Sequence, residues 1–497
     1  MSPNPPGPPA GSAEGPRSGL PEPDHARIAA TGTLQAFASQ ALRLPAGLLI
    51  AAYLTRKLGP ESYGVLMATS AIVLWVESST GLVFNRVVVK FVAESEDWRG
   101  TISSLARVQL IAGLAIGGGL AAVAPLVASL LRSPEIVPYL RLFALDIPLL
   151  NLANLHLSIL TGRRNYGLRA GLMTVRLAAN TILVFVLVGL GLSIYGAILA
   201  TIGASLLGFL SARVYVKPKL WGAFHGPVQG FGGYVWPLLL YAIAMNLLDP
   251  IGLLAVKALA PDPGSAGFYG AARNLTVTTS LFTVAFTPIL LATLTHLLHR
   301  GLTGEARSVT LGAMRFVVCL FPFAGVVAGS ASQIAGLIYG GSFSAAGPPL
   351  ALLIFGSVAV ALTAVNGSSL IAAGRPGLLC ALTIPMVPVA LAAQLWLVPR
   401  LGIVGAALAS LAVALAGAIT SSLAVYRTWE VRPASGTILR VAAVTLIAWG
   451  VSAVWKASGG WLVAELAAVS ALAVAALVFL GEIRRGDLRL LTSLRRA

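Results

Sequence analysis

Three arginines stand inside long apolar segments of this 497-residue chain, where an ionisable side chain is costly to place. They are Arg43, Arg176 and Arg273. A charged group at bilayer depth costs roughly 2.5 to 3.5 kcal/mol on insertion scales, so it normally faces protein or a water-filled cavity. A guanidinium stays charged at any depth and can bind two phosphate oxygens at once, whereas a buried lysine readily loses its proton. The three arginines therefore predict a hydrated path that holds an anionic, phosphate-bearing group.

Polar stripes at helical spacing surround two of these arginines. Gln35 and Ser39 lie on the same helix face as Arg43, and a second stripe surrounds Arg273 while the opposite faces of that segment are mostly apolar. The alternatives are an arginine satisfied by helix carbonyls in the first stripe and a helix–helix contact formed by Ser and Thr hydrogen bonds in the second. The predicted substrate-binding residues are Gln35, Ser39, Arg43, Arg176, Tyr269, Arg273, Thr276 and Ser280.

Three carboxylates also fall inside apolar segments. They are Glu77, Asp146 and Asp249, and Asp249 precedes Pro250, which predicts a helix kink. Each carboxylate either pairs with an arginine or binds a coupling cation, because the two roles look the same in one sequence. Cys319 and Cys380 both lie inside apolar segments, so their placement supports neither a disulfide framework nor a metal site.

The composition requires that membrane-spanning helices position these residues. The chain is 57% hydrophobic and only 10% charged, with a mean hydropathy of +0.86. Soluble domains carry about 25% charged residues, so a soluble enzyme, a collagen and a coiled coil are excluded. Long Leu, Ala, Val and Gly runs favour a helix bundle over a membrane barrel. The net charge of +17 is spread in ones, twos and threes between apolar runs, which indicates membrane topology rather than nucleic-acid binding.

A bilayer core takes about 20 apolar residues per helix, and the chain divides into fourteen such segments. The predicted spans are 33–55, 62–83, 103–127, 139–160, 168–190, 193–215, 232–256, 270–295, 309–329, 347–371, 376–397, 402–426, 437–456 and 461–480. With both termini in the cytoplasm, 21 Lys and Arg lie on the inner side and seven on the outer side. The excess of positive charge predicts that both termini are cytoplasmic.

Short motifs recur in order about 200 residues apart. The turn at 58–64 has a counterpart at 259–270, Thr161-Gly162-Arg163 has one at 373–375, and the segment 191–197 has one at 401–406. Six helices per repeat return the chain to its starting side, so the repeats must relate by a pseudo-two-fold axis along the membrane normal. The predicted units are a disordered tail 1–28, an N-lobe 29–215, a cytoplasmic linker 216–231, a C-lobe 232–427, two additional spans within 428–481, and a basic tail 482–497.

These motifs give the chain a resemblance to a known family. The segments Leu58 to Gly64, Gly267 to Arg273, Gly340 to Ala346, Ala372 to Arg375 and Leu401 to Ala409 resemble the polysaccharide flippase branch of the multidrug/oligosaccharidyl-lipid/polysaccharide exporter superfamily. The resemblance implies a flippase that moves undecaprenyl-diphosphate-linked oligosaccharide repeat units from the inner to the outer leaflet by alternating access. It also implies that cavity arginines hold the lipid diphosphate.

Other classes remain as alternatives. A drug or cation antiporter of the same superfamily would carry an acidic cavity. A membrane glycosyltransferase or polymerase would need a positioned acid, base or metal site on a sizeable external loop, and the predicted external loops are short. The expectation is therefore a non-enzymatic, multi-pass protein of the inner membrane without cofactor or metal. We expect a monomer that contacts membrane lipids, a lipid-linked oligosaccharide and polysaccharide assembly proteins, and that binds no nucleic acid.

Overall fold

The computed structural model describes residues 22–94, 98–163, 165–217, 242–243 and 246–482. All regular structure within these ranges is helical, and eight helical stretches there are long and apolar enough to cross a membrane. The prediction of an all-α polytopic membrane protein is confirmed, while the count of fourteen spans stays a prediction. Several predicted segments lie outside the described residues: the tail up to residue 21, the linker from residue 218, about half of the seventh span and the tail after residue 482.

The described part of the first half contains six α-helices. They are α1 (Glu22–Glu94), α2 (Trp98–Leu130), α3 (Ile136–Phe143), α4 (Asp146–Gly162), α5 (Tyr166–Leu187) and α6 (Ser193–Tyr215), with a π-helical turn (Val188–Leu192) between the last two. Helix α1 begins at Glu22, inside the segment predicted as a disordered tail. It also bends at Gly59, whose φ of 73° interrupts the helix just before Pro60. This bend separates the first two predicted spans.

The second half adds ten described α-helices. They are α7 (Ile251–Leu259), α8 (Ser265–His299), α9 (Thr303–Val318), α10 (Phe321–Gly329), α11 (Ala331–Tyr339), α12 (Gly347–Ala372), α13 (Pro376–Thr383), α14 (Met386–Trp429), α15 (Ser435–Trp455) and α16 (Trp461–Phe479), with a 3₁₀ helix (Gly341–Ala346) before α12. Gly402, with φ of 58°, breaks α14, and Gly191, with φ of 89°, breaks the chain between α5 and α6. The two breaks occupy matching places in the proposed repeat.

The two halves meet at one end in a set of close contacts that we call the junction, formed by residues 56–64, 133–135, 257–267 and 337–343. Glycine allows the backbones to touch there, since a Cβ on Gly64 would lie 2.7 Å from the Gly267 nitrogen and one on Gly267 would overlap the Pro60 carbonyl. Arg56 donates hydrogen bonds of 3.0 and 3.2 Å to the carbonyls of Leu337 and Ile338, at the carboxyl end of α11. The ends of two helices are thereby joined.

Aromatic and ionic contacts complete the junction. The ring of Phe343 packs edge-on against Tyr63 of the first half, with centroids 5.9 Å apart, and against Phe268, at 5.7 Å. Lys257 of α7 forms a 3.1 Å ion pair with Glu135, in the loop between α2 and α3. The hydrogen bond from Ser133 and the charge of Lys257 hold the pKa of the Glu135 carboxyl below its usual range, despite partial burial. The largest hydrophobic core of the molecule draws residues from both halves here.

Away from the junction the halves have separate cores. Val88, Ile102 and Ile159 belong to a cluster built from α1, α2, α4, α5 and α6. Leu294 and Met314 belong to a different cluster, built from the second half. Both clusters lie roughly 40 Å along their helices from the junction, at 1.5 Å rise per residue. Among the described residues, the halves therefore share a core at one end and pack independently at the other.

Helices α15 and α16 attach to the second half through small residues and buried charge. A Cβ on Gly325 of α10 would lie 2.7 Å from the Thr445 carbonyl, so α10 and α15 approach backbone to backbone. The buried carboxylate of Glu465 accepts a 2.8 Å hydrogen bond from Ser330. Glu482 accepts hydrogen bonds from Arg315 of α9 at 3.3 Å and from Arg440 of α15 at 3.0 Å. The last two helices are thus fixed to the second half at several depths.

Candidate functional site

Two of the predicted arginines come together in the first half. Arg43 lies on the first segment of α1, and its guanidinium is close enough to that of Arg176 on α5 for the two charges to repel. The aliphatic stem of Arg176 packs against Gly208 of α6, where an added Cβ would lie 3.1 Å from the arginine Cδ. Helix α5, which carries Arg176, is capped at its amino end by Asn165, whose side chain accepts a hydrogen bond from the Leu168 N–H at 3.2 Å. The structure therefore concentrates positive charge where the polar stripe of α1 meets α5.

Two carboxyls lie beside Arg176. The side chains of Glu77 and Asp146 lie near each other, and the charge of Arg176 acts on both. Both are buried, at 9% and 1% exposure, and both Asp146 oxygens lack a hydrogen-bond donor among the described residues. If both carboxyls ionise beside one guanidinium, one negative charge is left over, and a proton or a monovalent cation can balance it. The counter-ion and ion-coupling interpretations both stay open for this pair.

Arg273 of α8 has a partner of its own. Its Nε donates to Asp249 Oδ1 at 3.3 Å and its Nη2 contacts Asp249 Oδ2, so the guanidinium binds the carboxylate through two nitrogens. The Asp249 side chain is 71% exposed while that of Arg273 is 21% exposed. For Asp249 the structure supports the pairing interpretation. The exposed carboxylate can leave the guanidinium, so a competing anion can replace it.

The remaining polar residues of α8 are partly engaged by the protein. Tyr269 is 2% exposed, and its hydroxyl lies 3.0 Å from Ser410 Oγ of α14, which in turn accepts a hydrogen bond from Gln394. Thr276 donates to the Arg273 carbonyl at 2.7 Å. The Tyr269 side chain therefore packs within the second half, and substrate contact there would require this network to open. The side chains of Gln35, Ser39 and Ser280 lie outside the described part of the structure.

A cavity adjoins the helix turns that carry all three arginines. It has a volume of about 150 Å³, and its lining includes Gly47, Asn180 and Asn274. Gly47 and Asn180 each follow an arginine, Arg43 or Arg176, by four residues, which is one helical turn, and Asn274 directly follows Arg273. Tyr63 also lines the cavity, and its side chain hydrogen-bonds to that of Asn274 from the other half. The cavity therefore lies mainly within the first half, just below the junction, and Asn274 is its one described lining residue from the second half.

Sequence reasoning missed several residues of this region. Asn180 and Thr201 of the cavity were not singled out, although the position of Asn180 one turn after Arg176 was a usable signal. Among the junction residues, Arg56 and Lys257 enter the sequence analysis only in the count of basic residues on the outer side, and Glu135 is not singled out. Their roles depend on which loops of the two halves approach each other, and helical periodicity carries no information on that.

The fold is similar to solved transporter structures. A lipid II flippase, MurJ, in an inward closed conformation superposes with a TM-score of 0.71 and 14% identity, covering 90% of this chain and 98% of that one. The Vibrio cholerae MATE transporter VcmN in its bent form gives a TM-score of 0.55 and 16% identity, covering 85% and 100%. An inward-facing multidrug resistance MATE family transporter of the MOP superfamily gives 0.58 and 14%, covering 80% and 96%. The fold is thus that of a multi-span helical membrane protein, and it is shared with these three structures.

The sequence itself identifies the family. Residues 29–293, just over half of the chain, match the family described as polysaccharide biosynthesis protein, and the chain belongs to that family. No curated protein gives a significant match. Family and fold together confirm the resemblance to the multidrug/oligosaccharidyl-lipid/polysaccharide exporter superfamily.

Proposed function

We propose that this protein is a flippase that moves undecaprenyl-diphosphate-linked oligosaccharide repeat units from the inner to the outer leaflet of the cytoplasmic membrane. The observation that carries the proposal is the cavity in the first half, which Asn274 of the second half also lines and which helix turns that bear Arg43, Arg176 and Arg273 border. A diphosphate is the dense anionic group that guanidinium clusters bind best. Membership of a polysaccharide biosynthesis family and a fold similar to that of a lipid II flippase support this substrate class.

The mechanism follows from how the halves are joined. In this structure the junction holds the halves together at the end that the charge bias places outside, so substrate enters from the cytoplasmic side. The diphosphate binds at Arg43 and Arg176, where it relieves the repulsion between the two guanidiniums. Rocking of the N-lobe against the C-lobe opens the junction and exposes the site to the outer leaflet. The prenyl tail stays in the lipid throughout.

Each arginine has a defined part in this scheme. Glu77 and Asp146 balance the charge of Arg176 while the site is empty. Asp249 pairs with Arg273 in the same way and is displaced by the substrate.

The protein acts as a monomer with both termini in the cytoplasm, and no step calls for a cofactor, a metal or covalent catalysis.

A cation-coupled drug antiporter is the second candidate. The buried Glu77 and Asp146 pair favours it, because adjacent carboxyls can exchange a cation. That function would make the pair essential for transport and the arginines dispensable. The flippase function makes the arginines essential for any diphosphate-linked substrate.

Transport by the full-length protein in lipid vesicles distinguishes the two. Arg43→Ala and Arg176→Ala should each abolish flipping of a fluorescent undecaprenyl-diphosphate-linked oligosaccharide, and Arg300→Ala, on an exposed turn, serves as the control. Amounts of inserted protein are matched before rates are compared. Wild-type rates from both cavity variants would refute the proposal. Loss of drug efflux in Glu77→Gln with unchanged lipid flipping would favour the antiporter.

A further inference from the structure

The cavity below the junction takes all of its polar surface from uncharged side chains. Asn180 of α5, Thr201 of α6, Ser70 of α1 and Asn274 of α8 line it, and no charged side chain is among its described lining residues. The charged groups stand one turn away on α1 and α5. The space next to the arginines is therefore not built for a second phosphate or for a cation.

One of these polar groups lacks a partner. The Asn180 side-chain oxygen is buried and has no hydrogen-bond donor among the described residues. A buried acceptor without a donor is unfavourable, so such groups are normally satisfied by protein, water or a ligand. The Thr201 hydroxyl donates to the Ala197 carbonyl of its own helix at 3.1 Å, so its oxygen lone pairs can still accept. The cavity thus offers acceptors and an amide donor to a group that carries several hydroxyls.

The size and the walls of the cavity determine which kind of group it can hold. A cavity of about 150 Å³ is large enough to hold one six-membered ring such as benzene, so this cavity accepts a group of roughly that size. Phe143 and Met67 add apolar walls to the polar side chains. A sugar ring has this mixed character, since its hydroxyls lie at the rim while its C–H groups form apolar faces.

The position of the cavity relates it to the diphosphate. Asn180 lies four residues beyond Arg176, and Gly47 lies four residues beyond Arg43. Four residues of helix rise about 6 Å, so the cavity begins one turn from both guanidiniums. In a lipid diphosphate sugar, the first sugar is bonded directly to the second phosphate. A diphosphate held by the two arginines would place that sugar within reach of Asn180.

We propose that this cavity binds the first sugar of the lipid-linked substrate, with Asn180 as the main hydrogen-bonding residue. The inference rests on the proposed function, because it takes the diphosphate site at Arg43 and Arg176 as given. The proposal adds a separate neutral subsite that binds the sugar, next to the cationic site that binds the diphosphate.

The test compares two lipids that differ only in the sugar. Full-length protein in nanodiscs is titrated with undecaprenyl diphosphate, and with undecaprenyl diphosphate that carries a single galactose or N-acetylglucosamine. The variants are Asn180→Leu, which keeps the side-chain size, and Thr201→Val. Thr181→Val on the same helix is the matched control, since Thr181 bonds to the Leu177 carbonyl and does not line the cavity.

The expected result is selective. Wild type should bind at least one sugar-bearing lipid more tightly than the bare diphosphate. Asn180→Leu should weaken that binding about tenfold, the loss of one or two hydrogen bonds, and leave the bare diphosphate unchanged. Thr201→Val should act in the same direction with a smaller effect, and Thr181→Val should have none. Each variant is first shown to melt within a few degrees of wild type, and Thr201→Val replaces Asn180→Leu if the latter does not.

Other results separate the two levels of the argument. No preference of wild type for either sugar-bearing lipid, or equal weakening of sugar-bearing and bare lipids by Asn180→Leu, overturns the sugar subsite. If Arg176→Ala still weakens both lipids, the flippase function stands without the subsite. If Arg176→Ala weakens neither lipid, the diphosphate site is wrong, and the sugar subsite falls with it.

Discussion

Closure of the junction depends on two backbones that touch at glycines, so a single added methyl group should open it. A Cβ on Gly64 would lie 2.7 Å from the Gly267 backbone nitrogen, whereas ordinary contact begins at 3.4 Å. The two segments must therefore move apart by about 0.7 Å to accept Gly64→Ala. The neighbouring atoms are backbone, which cannot rotate away. Gly267→Ala is more severe, because its Cβ would overlap the Pro60 carbonyl.

The energetic effect can be bounded from packing data. Overpacking in a tight contact costs typically about 1 to 3 kcal/mol. That cost falls only on the closed state, since the contact is absent once the junction opens. The gain in helix propensity from glycine to alanine is present in both states and cancels. The ratio of open to closed molecules should therefore rise roughly 5- to 150-fold in Gly64→Ala, and further in Gly267→Ala.

Distances between spin labels at Lys57 and Ser342, one on each side of the junction, measure this ratio. The labels are introduced in a background in which Cys319 and Cys380 are replaced, since both are free thiols. Gly118→Ala is the control, because nothing lies within 4 Å of its added Cβ. The longer-distance population should grow in the order Gly118→Ala, Gly64→Ala, Gly267→Ala. An unchanged distance distribution in Gly267→Ala would refute the junction as the contact that closes this end.

Three further predictions follow from the charged contacts. Arg273→Lys should lose vesicle transport as completely as Arg273→Ala, because one ammonium cannot reproduce a contact made through two nitrogens. If Arg273→Lys instead keeps half of the wild-type transport rate, positive charge alone suffices. Glu135→Lys should lengthen the distances across the junction, and the added substitution Lys257→Glu should restore them. The ion pair should contribute about 0.2 to 1 kcal/mol, as a half-exposed pair does, above the ordinary pKa of glutamate, and this contribution is lost as the pH falls below that pKa. If the exchanged pair does not restore closure, this ion pair does not hold the junction closed. Glu482→Gln should lower the melting temperature at neutral pH, because it removes an ionised carboxylate that Arg315 and Arg440 bind. Burial raises the pKa of Glu482, but hydrogen bonds from Thr437, Arg440 and Arg315 outweigh burial and hold the pKa below its usual range, so these contacts persist below the ordinary pKa of glutamate. An unchanged melting temperature at neutral pH would contradict this.

The amino-acid sequence by itself determined the helical membrane class and the places where helices break. A charged content of 10% leaves no composition for a soluble surface, and long apolar runs form helices because lipid offers the backbone no hydrogen bonds. Gly59, Gly191 and Gly402 adopt positive φ where the sequence predicted turns, since glycine alone has no Cβ to oppose that conformation. These properties are local, and local chemistry decides them.

Only the tertiary structure decided which side chains meet. Periodicity gave Arg43 and Arg273 a polar face each, but the approach of Arg176 to Arg43 and to the buried carboxyl of Asp146 depends on how α1, α4 and α5 are rotated against one another. The same holds for Tyr269. Its polar stripe predicted that it faces the transport path, whereas its hydroxyl is hydrogen-bonded to a serine of α14. A helical period fixes the direction of a side chain about its own axis and leaves open which helix lies in that direction. Contacts between residues more than a hundred positions apart are set by the packing of the whole bundle.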